Sequence, residues 1–292
     1  MLFLSQLING LQLGSIYALV ALGYSMVYGI IMLLNFAHGD IIMVGGYIAL
    51  LILTAGFNPV LSVIIAIVGC TLLAVLIEKI AYTPLRSAPR ISLLITAIGV
   101  SMLLQNLAQF FFSANARSFP SSAILPADSI SLGSLQIGMT SVVTIIVSIG
   151  SMLLLTFLVQ KTKMGKAMRA VSEDTDAAQL MGINVNNIIS FTFAVGSALA
   201  GIGAILFCCR YPLVSPTMGS LLGLKAFIAA VVGGIGSIPG AMIGGFAVGI
   251  AEVLVTALGL STWTDGVVFA ILIVMLLVKP TGILGRSLME KV

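Results

Sequence analysis

Long apolar runs separated by short polar clusters set the pattern of this chain. The first run, Leu7 to Leu34, is longer than one bilayer crossing needs, since ~20 apolar residues suffice. It stops at Asn35-Phe-Ala-His-Gly-Asp40, and a second run follows from Ile41 to Ala55. A turn at Phe57-Asn-Pro59 leads into a run from Val60 to Ile80, and Tyr82 to Arg90 then forms a polar loop. Further runs cover Ile91 to Phe112, Met139 to Val159 and Ile189 to Phe207. Between them lie Ser113 to Gly138, where Pro120 and Pro126 oppose regular helix, and the charged stretch Lys161 to Ile188. Within the first of these, Ile130, Leu132, Leu135 and Ile137 alternate as a small hairpin would. After the polar segment Arg210 to Pro216, Leu221 to Leu258 is too long for one span and breaks at Gly233-Gly-Ile-Gly-Ser-Ile-Pro-Gly240, which predicts two crossings or a re-entrant hairpin. A last run, Val267 to Val278, is entered through Ser261 to Asp265, where Trp263 suits a membrane interface.

Composition makes the class plain: 60% of the 292 residues are hydrophobic and 8% charged, with a mean hydropathy of +1.22. A soluble protein is excluded. The expected fold is all-α, a single polytopic transmembrane domain over residues 1–292 with about 8–9 spans and broken or re-entrant helices. No Lys or Arg precedes Lys79, so the first run lacks the basic start of a signal peptide and reads as a retained span. The net charge of +4 comes from basic residues gathered in a few loops, where they set orientation and imply no nucleic-acid partner. Lys79, Arg86 and Arg90 place one loop inside, Lys279, Arg286 and Lys291 do the same for the C-terminus, and parity then puts the N-terminus outside. Cys70, Cys208 and Cys209 lie in or beside apolar runs without metal spacing and read as packing or lipid-facing residues.

Charge concentrates at Lys161, Lys163, Lys166, Arg169, Glu173, Asp174 and Asp176, so residues 161–188 must lie in water, on the cytoplasmic side. A short helix is expected there, with Ser172 as its cap, Glu173, Asp174 and Asp176 complementing its dipole, and Gly182 closing it after Met181. Ala177, Leu180 and Met181 would share one face. A helix this short is marginal in water alone, so that face needs a surface to settle against: either the chain's own bundle or a partner.

Asn35, His38, Gly39 and Asp40 are the candidates for chemistry at membrane depth, because ionisable groups there mark pathways. Against a translocation role stands a capping one, with Asn35 closing the first helix, Gly39 turning and Asp40 capping the next. Gly233, Gly234 and Gly236 belong to a glycine-rich break that lacks the Gly-Lys-Ser/Thr ending of a nucleotide loop. Lys225 and Glu252 flank that break and either line a polar path or, as is expected, pair or snorkel. Intramembrane catalysis is set aside: Asp40 has no second intramembrane aspartate, His38 has no nearby serine, and one histidine cannot build a metal site. The chain reads as non-catalytic.

Gly10 to Tyr24, Tyr28-Gly29, Asn35 to Asp40, Met43 and Gly45 to Tyr47 resemble the amino-terminal signature of permeases of branched-chain amino-acid ABC importers. Gly165, Arg169-Ala170, Asp174, Ala177-Ala178 and Gly182-Ile183 resemble that family's cytoplasmic coupling motif, and Gly233 to Gly245 its late glycine-rich segment. The likeness spans nearly the whole chain and points to the H-type of the two permeases, with Asp40 standing where Glu is more usual. The resemblance implies an inner-membrane importer of branched-chain amino acids. Its other parts would be a second, related permease, two cytoplasmic ATP-binding subunits carrying ATP and magnesium, and a periplasmic substrate-binding protein, with no cofactor on this chain. Arg169, Glu173, Asp174, Ala177, Leu180 and Gly182 would couple it to the ATPase. Urea and short-chain amide importers use similar permeases, and an ATPase-independent channel or carrier is the alternative from another class.

Overall fold

The computed structural model describes residues 2–32, 35–86, 88–126, 128–132 and 135–285. Helix α1 (Leu2–Ile31) is followed by α2 (His38–Thr54) and by α3 (Pro59–Ile77), which tightens into a π-helical turn, Glu78–Tyr82, and a short 3-10 turn, Thr83–Leu85. Helix α4 (Arg90–Phe112) leads to β1 (Arg117–Ser118), α5 (Ser121–Ile124) and a hairpin of β2 (Ser129–Leu132) and β3 (Leu135–Gly138). Then come α6 (Met139–Lys161), α7 (Lys163–Glu173), α8 (Thr175–Leu180), α9 (Val185–Arg210), β4 (Leu213–Val214), α10 (Met218–Gly233), α11 (Ile238–Ala257) and α12 (Thr264–Val278). Among the described residues, seven helices are long and apolar enough to cross a membrane, and α2 and α10 are shorter apolar helices. The expected all-α polytopic bundle with interrupted helices is what forms. The expected hairpin forms too, with Ile130 opposite Ile137. The first run ends at Ile31 in helix; Leu34 lies outside the described residues.

Helix α1 is apolar on every side and therefore central: Ile16, Leu19, Val20 and Leu22 are all buried. Helices α9, α10 and α11 surround it, and α6 is held against it by hydrogen bonds from Ser141 Oγ to Gln12 Oε1 (2.8 Å) and from Ser148 Oγ to the Ser15 carbonyl (3.0 Å). Without a hydrophobic driving force between helices in lipid, small residues and such bonds supply the cohesion. The outer helices α3, α4, α6 and α12 expose Leu72, Phe110, Leu154 and Leu277, apolar side chains suited to lipid contact.

The helices from α1 to α4 and from α9 to α12 repeat one another. Shifting the numbering by 180 brings Gly39 onto Gly219, Tyr47 onto Phe227, Gly56 onto Gly236, Pro59 onto Pro239 and Gly69 onto Gly249. Gly56 (φ 82°) and Gly236 (φ 87°) both sit in the left-handed region that glycine tolerates, each just ahead of a proline-started helix. Asn58 caps α3 by accepting the Val60 N–H (2.8 Å), and Ser237 caps α11 by accepting the Gly240 N–H (3.2 Å). Packing follows the same exchange: α1 lies on α11 as α9 lies on α3, α2 touches α9 as α10 touches α1, and α2 and α10 meet each other.

The two halves run in opposite senses. Leu53 and Val63, which flank the Gly56 turn, pack with Phe119 of the 113–138 loop, whereas the Gly236 turn lies beside Gly29, Met168 and Arg169. This is the inverted arrangement found where a substrate path crosses between broken helices.

Two ends are thereby defined. One carries the 113–138 loop, tied to the segment after α9 by β1–β4 pairing. The other carries the π-helical turn, α7, α8 and the start of α9, joined by the Arg86 guanidinium, which donates to Asn186 Oδ1. Lys279 ends α12 at this second end, where Ile283 and Leu284 donate to the carbonyls of Val232 (2.9 Å) and Gly233 (2.9 Å). Arg286 and Lys291 lie outside the described residues.

Candidate translocation path and coupling site

The break between α1 and α2 is not built from side-chain caps. Ala37 occupies the cap position of α2 without a side-chain bond, and His38 is already the first helical residue. Asn35 Oδ1 instead accepts from the Tyr82 hydroxyl at 2.7 Å. The His38 ring meets Tyr24 edge-on at 4.8 Å, in space left by Gly23, and its Nε2 has no partner among the described residues. Gly39 makes no turn: it lies inside α2, packed on Gly219 and Gly223 of α10. Asp40 turns away from its helix end and accepts from Ser101 Oγ (2.5 Å) and Gln105 Nε2 (3.0 Å) of α4. The capping expectation for Asn35, Gly39 and Asp40 is thus corrected. Backbone bonds close the turn, from His38 N–H to the Asn35 carbonyl (3.0 Å) and from Asp40 N–H to the Ala37 carbonyl (3.1 Å), leaving the side chains to partners distant in sequence.

Those partners extend toward α10. Gln105 Nε2 also reaches Ser220 Oγ (2.9 Å), and Ser220 lines a cavity of about 630 Å³ with Tyr17, Tyr211, Lys225 and Glu252. Lys225 and Glu252 pair as expected, at 2.7 Å. Lys225 also holds Asp265, at 2.8 Å, and Tyr17 donates to the second Glu252 oxygen at 2.7 Å. Asp265, at the entry to the last apolar run, is thus drawn into the Lys225 network, which the pattern of runs did not foresee. A buried lysine with two carboxylates and a hydroxyl forms a satisfied network, which is how a charge tolerates a membrane interior.

The glycine-rich break is a close crossing. A side chain on Gly233 would begin 1.9 Å from the Gly240 carbonyl oxygen, and Gly234 (φ 106°) and Gly236 take backbone angles that exclude most residues.

Reading along the chain also passed over Glu78. It is buried in the π-helical turn and accepts from Thr83 Oγ1 (2.7 Å), Ser190 Oγ (2.6 Å) and the Arg86 guanidinium. An acidic residue directly after an apolar run, beside Lys79, was the available signal. Ser101 and Gln105, one helical turn apart on α4, were another.

The charged stretch that begins at Lys161 holds two short helices, α7 and α8. Thr162 caps α7 by accepting the Gly165 N–H (3.0 Å), and Met168 and Val171 bury its apolar face on the bundle, with Lys163, Lys166, Arg169 and Glu173 exposed. These apolar positions carry α7 through Ser172 to Glu173, so Ser172 is not a cap; its hydroxyl donates to the Arg169 carbonyl (2.8 Å). Asp174 caps α8, accepting from the N–H groups of Asp176 (3.0 Å) and Ala177 (2.9 Å), while Glu173 belongs to the C-terminal end of α7 and does not serve the α8 dipole. Gly182 takes the left-handed conformation after Met181, as expected (φ 83°). Ala178 is the residue tucked inward; Ala177 is exposed, and Leu180 and Met181 are 88% and 83% exposed.

Asp174→Ala is expected to remove about 1 kcal/mol of α8 stability, the usual worth of an acidic cap. Hydrogen exchange of the amides from 176 to 181 should accelerate while that of α7 stays unchanged. Equal protection of these amides in the parent and in Asp174→Ala would show that packing alone holds α8.

A family model described as "Branched-chain amino acid transport system / permease component" matches residues 6–277. The chain is 41% identical to the high-affinity branched-chain amino acid transport system permease protein BraD of Pseudomonas aeruginosa, over 99% of this chain and 98% of that one. It is 43% identical to the corresponding LivH protein of Escherichia coli, again over 99% and 98%. Among solved structures, PsaBC from Streptococcus pneumoniae in complex with a Fab shares the fold, with a TM-score of 0.50 and 15% identity over 94% of this chain and 91% of that one. With a family model across nearly its whole length and full-length relatives beyond 40% identity, the chain belongs to the family of permease components of branched-chain amino acid transport systems.

Proposed function

We propose that the chain moves leucine, isoleucine and valine inward across a bacterial inner membrane, driven by ATP and magnesium on two separate cytoplasmic subunits. A second, related permease and a periplasmic substrate-binding protein complete the transporter. The observation that carries the reading is α8: a capped helix whose tip holds two large apolar side chains, Leu180 and Met181, out in water. Such residues are anchors for a groove on a soluble partner. Lys79, Arg86, Lys161, Lys163, Lys166, Arg169 and Lys279 all gather at the α8 end, whereas Arg117 and Arg210 lie toward the other. Positive charge favours the cytoplasm, so α7 and α8 face inward and the N-terminus faces out. The substrate path runs beside the break between α1 and α2, where Gly39 packs on α10, Asp40 reaches α4, and Asn35 and His38 lie close by, and past the Gly233 to Gly240 turn. The likeness to permeases named for branched-chain amino acids favours these substrates over urea or amides.

Leu180→Ser combined with Met181→Ser tests the docking. In proteoliposomes holding all subunits and the binding protein, leucine uptake is expected to fall by about tenfold or more, because loss of an anchor costs about 2 kcal/mol. The chain should reach the membrane in normal amount. Undiminished ATP-driven uptake would remove α8 from the interface. Gradient-driven uptake by this chain alone would replace the whole reading with that of an autonomous carrier.

A further inference from the structure

A cavity of about 390 Å³ lies between the bundle and the coupling helices, within the size range of small-molecule sites. It is separate from the Tyr17, Lys225 and Glu252 cavity and shares no lining residue with it. Its walls come from the end of α1, the π-helical turn, the starts of α4 and α9, and the junction of α7 with α8. We infer that it binds a free aliphatic amino acid in its zwitterionic form from the cytoplasmic side.

Three features define the ligand. Arg86 lines the cavity with a guanidinium of five N–H donors, of which one Nη1 bond goes to Asn186 and one Nη2 bond to Glu78. The Glu78 carboxylate is 1% exposed and already receives bonds from Arg86, Thr83 and Ser190. It therefore holds Arg86 in position, and the donors that remain suit a second carboxylate. Glu173 also lines the cavity. It makes no hydrogen bond among the described residues and ends α7, where the last carbonyls carry partial negative charge; both favour an ammonium group. Ile30, Leu93, Ile189 and Phe193 supply apolar wall for an aliphatic side chain. A fatty acid would leave Glu173 unmatched, and an alkylamine would leave Arg86 unmatched.

A ligand there touches the bundle and α7 at once, so it ties the coupling helices to the membrane domain. Accumulated amino acid on the cytoplasmic side would then slow the transporter that delivered it. This choice of ligand rests on the proposed substrate class.

The test is isothermal titration of the solubilised full transporter, without binding protein, using L-leucine, isocaproate and isoamylamine as probes. Leucine is expected to bind, and the two analogues, each lacking one charge, at least about tenfold more weakly. Leu93→Trp, which puts an indole into the cavity, should weaken leucine to the same degree. Ile189→Phe, a smaller filling change, should act in the same direction and serves if Leu93→Trp does not fold. In vesicles preloaded with leucine, wild-type uptake should slow several-fold and Leu93→Trp uptake should not. Absence of leucine binding, equal binding by isocaproate, or full binding in both filled variants overturns the site. Failure of wild-type leucine uptake into empty vesicles would refute the import reading alone, since the titration does not depend on transport.

Discussion

Replacing Gly39 with valine is expected to prevent stable assembly of the bundle. A Cβ at Gly39 would sit 2.2 Å from the Gly219 carbonyl oxygen and 3.0 Å from Gly223 Cα. Both obstacles are backbone, so no rotamer change relieves them, and α2 and α10 must move apart where they cross. Overpacking a core costs about 1–3 kcal/mol when side chains can yield; here the cost is expected to exceed about 3 kcal/mol. The contact is reciprocal, because a Cβ on Gly219 would lie 2.3 Å from the Gly39 oxygen. Gly39→Ala and Gly219→Ala should therefore each lower the thermal midpoint in detergent. Combined, they should do so by less than their sum, since one separation accommodates both. A Gly39→Val protein that melts like the parent would mean that α2 and α10 do not touch in the folded state.

Lys225→Met should be nearly as damaging, for an electrostatic reason. It leaves Glu252, 9% exposed, without its cation, with only the Tyr17 hydroxyl still bound. Breaking one side of a buried ion pair costs about 3–5 kcal/mol, mostly the penalty of the stranded charge. The double variant Lys225→Met with Glu252→Gln removes that charge and should recover much of the lost stability. Asp265 offers the contrast: its side chain is half exposed, so Asp265→Asn should cost no more than about 1 kcal/mol. Melting curves for the four proteins decide the matter. A single variant as stable as the double would show that Glu252 is neutral or hydrated.

The membrane-spanning layout was legible because apolar runs of that length have few other uses, and the break at Gly233 to Gly240 announced its own turn. Local signals held where the partner was a few residues away, as at Asn58 and Gly182. They failed where a distant group competed. Asn35 and Asp40 are residue types that cap helices, yet Tyr82, Ser101 and Gln105 claimed them, from positions 47, 61 and 65 residues along the chain. Ser172 failed differently: Met168 and Val171 extended the first helix past it and passed the cap to Asp174. The pairing of Lys225 with Glu252 was foreseeable as opposite charges flanking one turn, whereas the Tyr17 bond spans 235 residues. The glycine-rich breaks near Gly39 and Gly233 hinted at a repeat, but its halves share few side chains, and only the matching left-handed glycines and capped, proline-started helices fix the shift between them.

The join between α6 and α7 bears on how the molecule yields under load. One residue, Thr162, separates the two helices, and one, Asp174, separates α7 from α8. Thr162 Oγ1 grips the Leu158 carbonyl (2.6 Å) and the Gly165 N–H together, and Gly165 lies so close to the carbonyls of Leu158 and Val159 that no side chain fits between them. An elbow tied in this way has almost no slack. It joins α7 directly to α6, a shaft ~35 Å long at 1.5 Å per residue. Ser148 and Ser141 on α6 fasten it to the central helix. The segment that carries α8 is thereby braced, through α7 and α6, against the helix at the centre of the bundle.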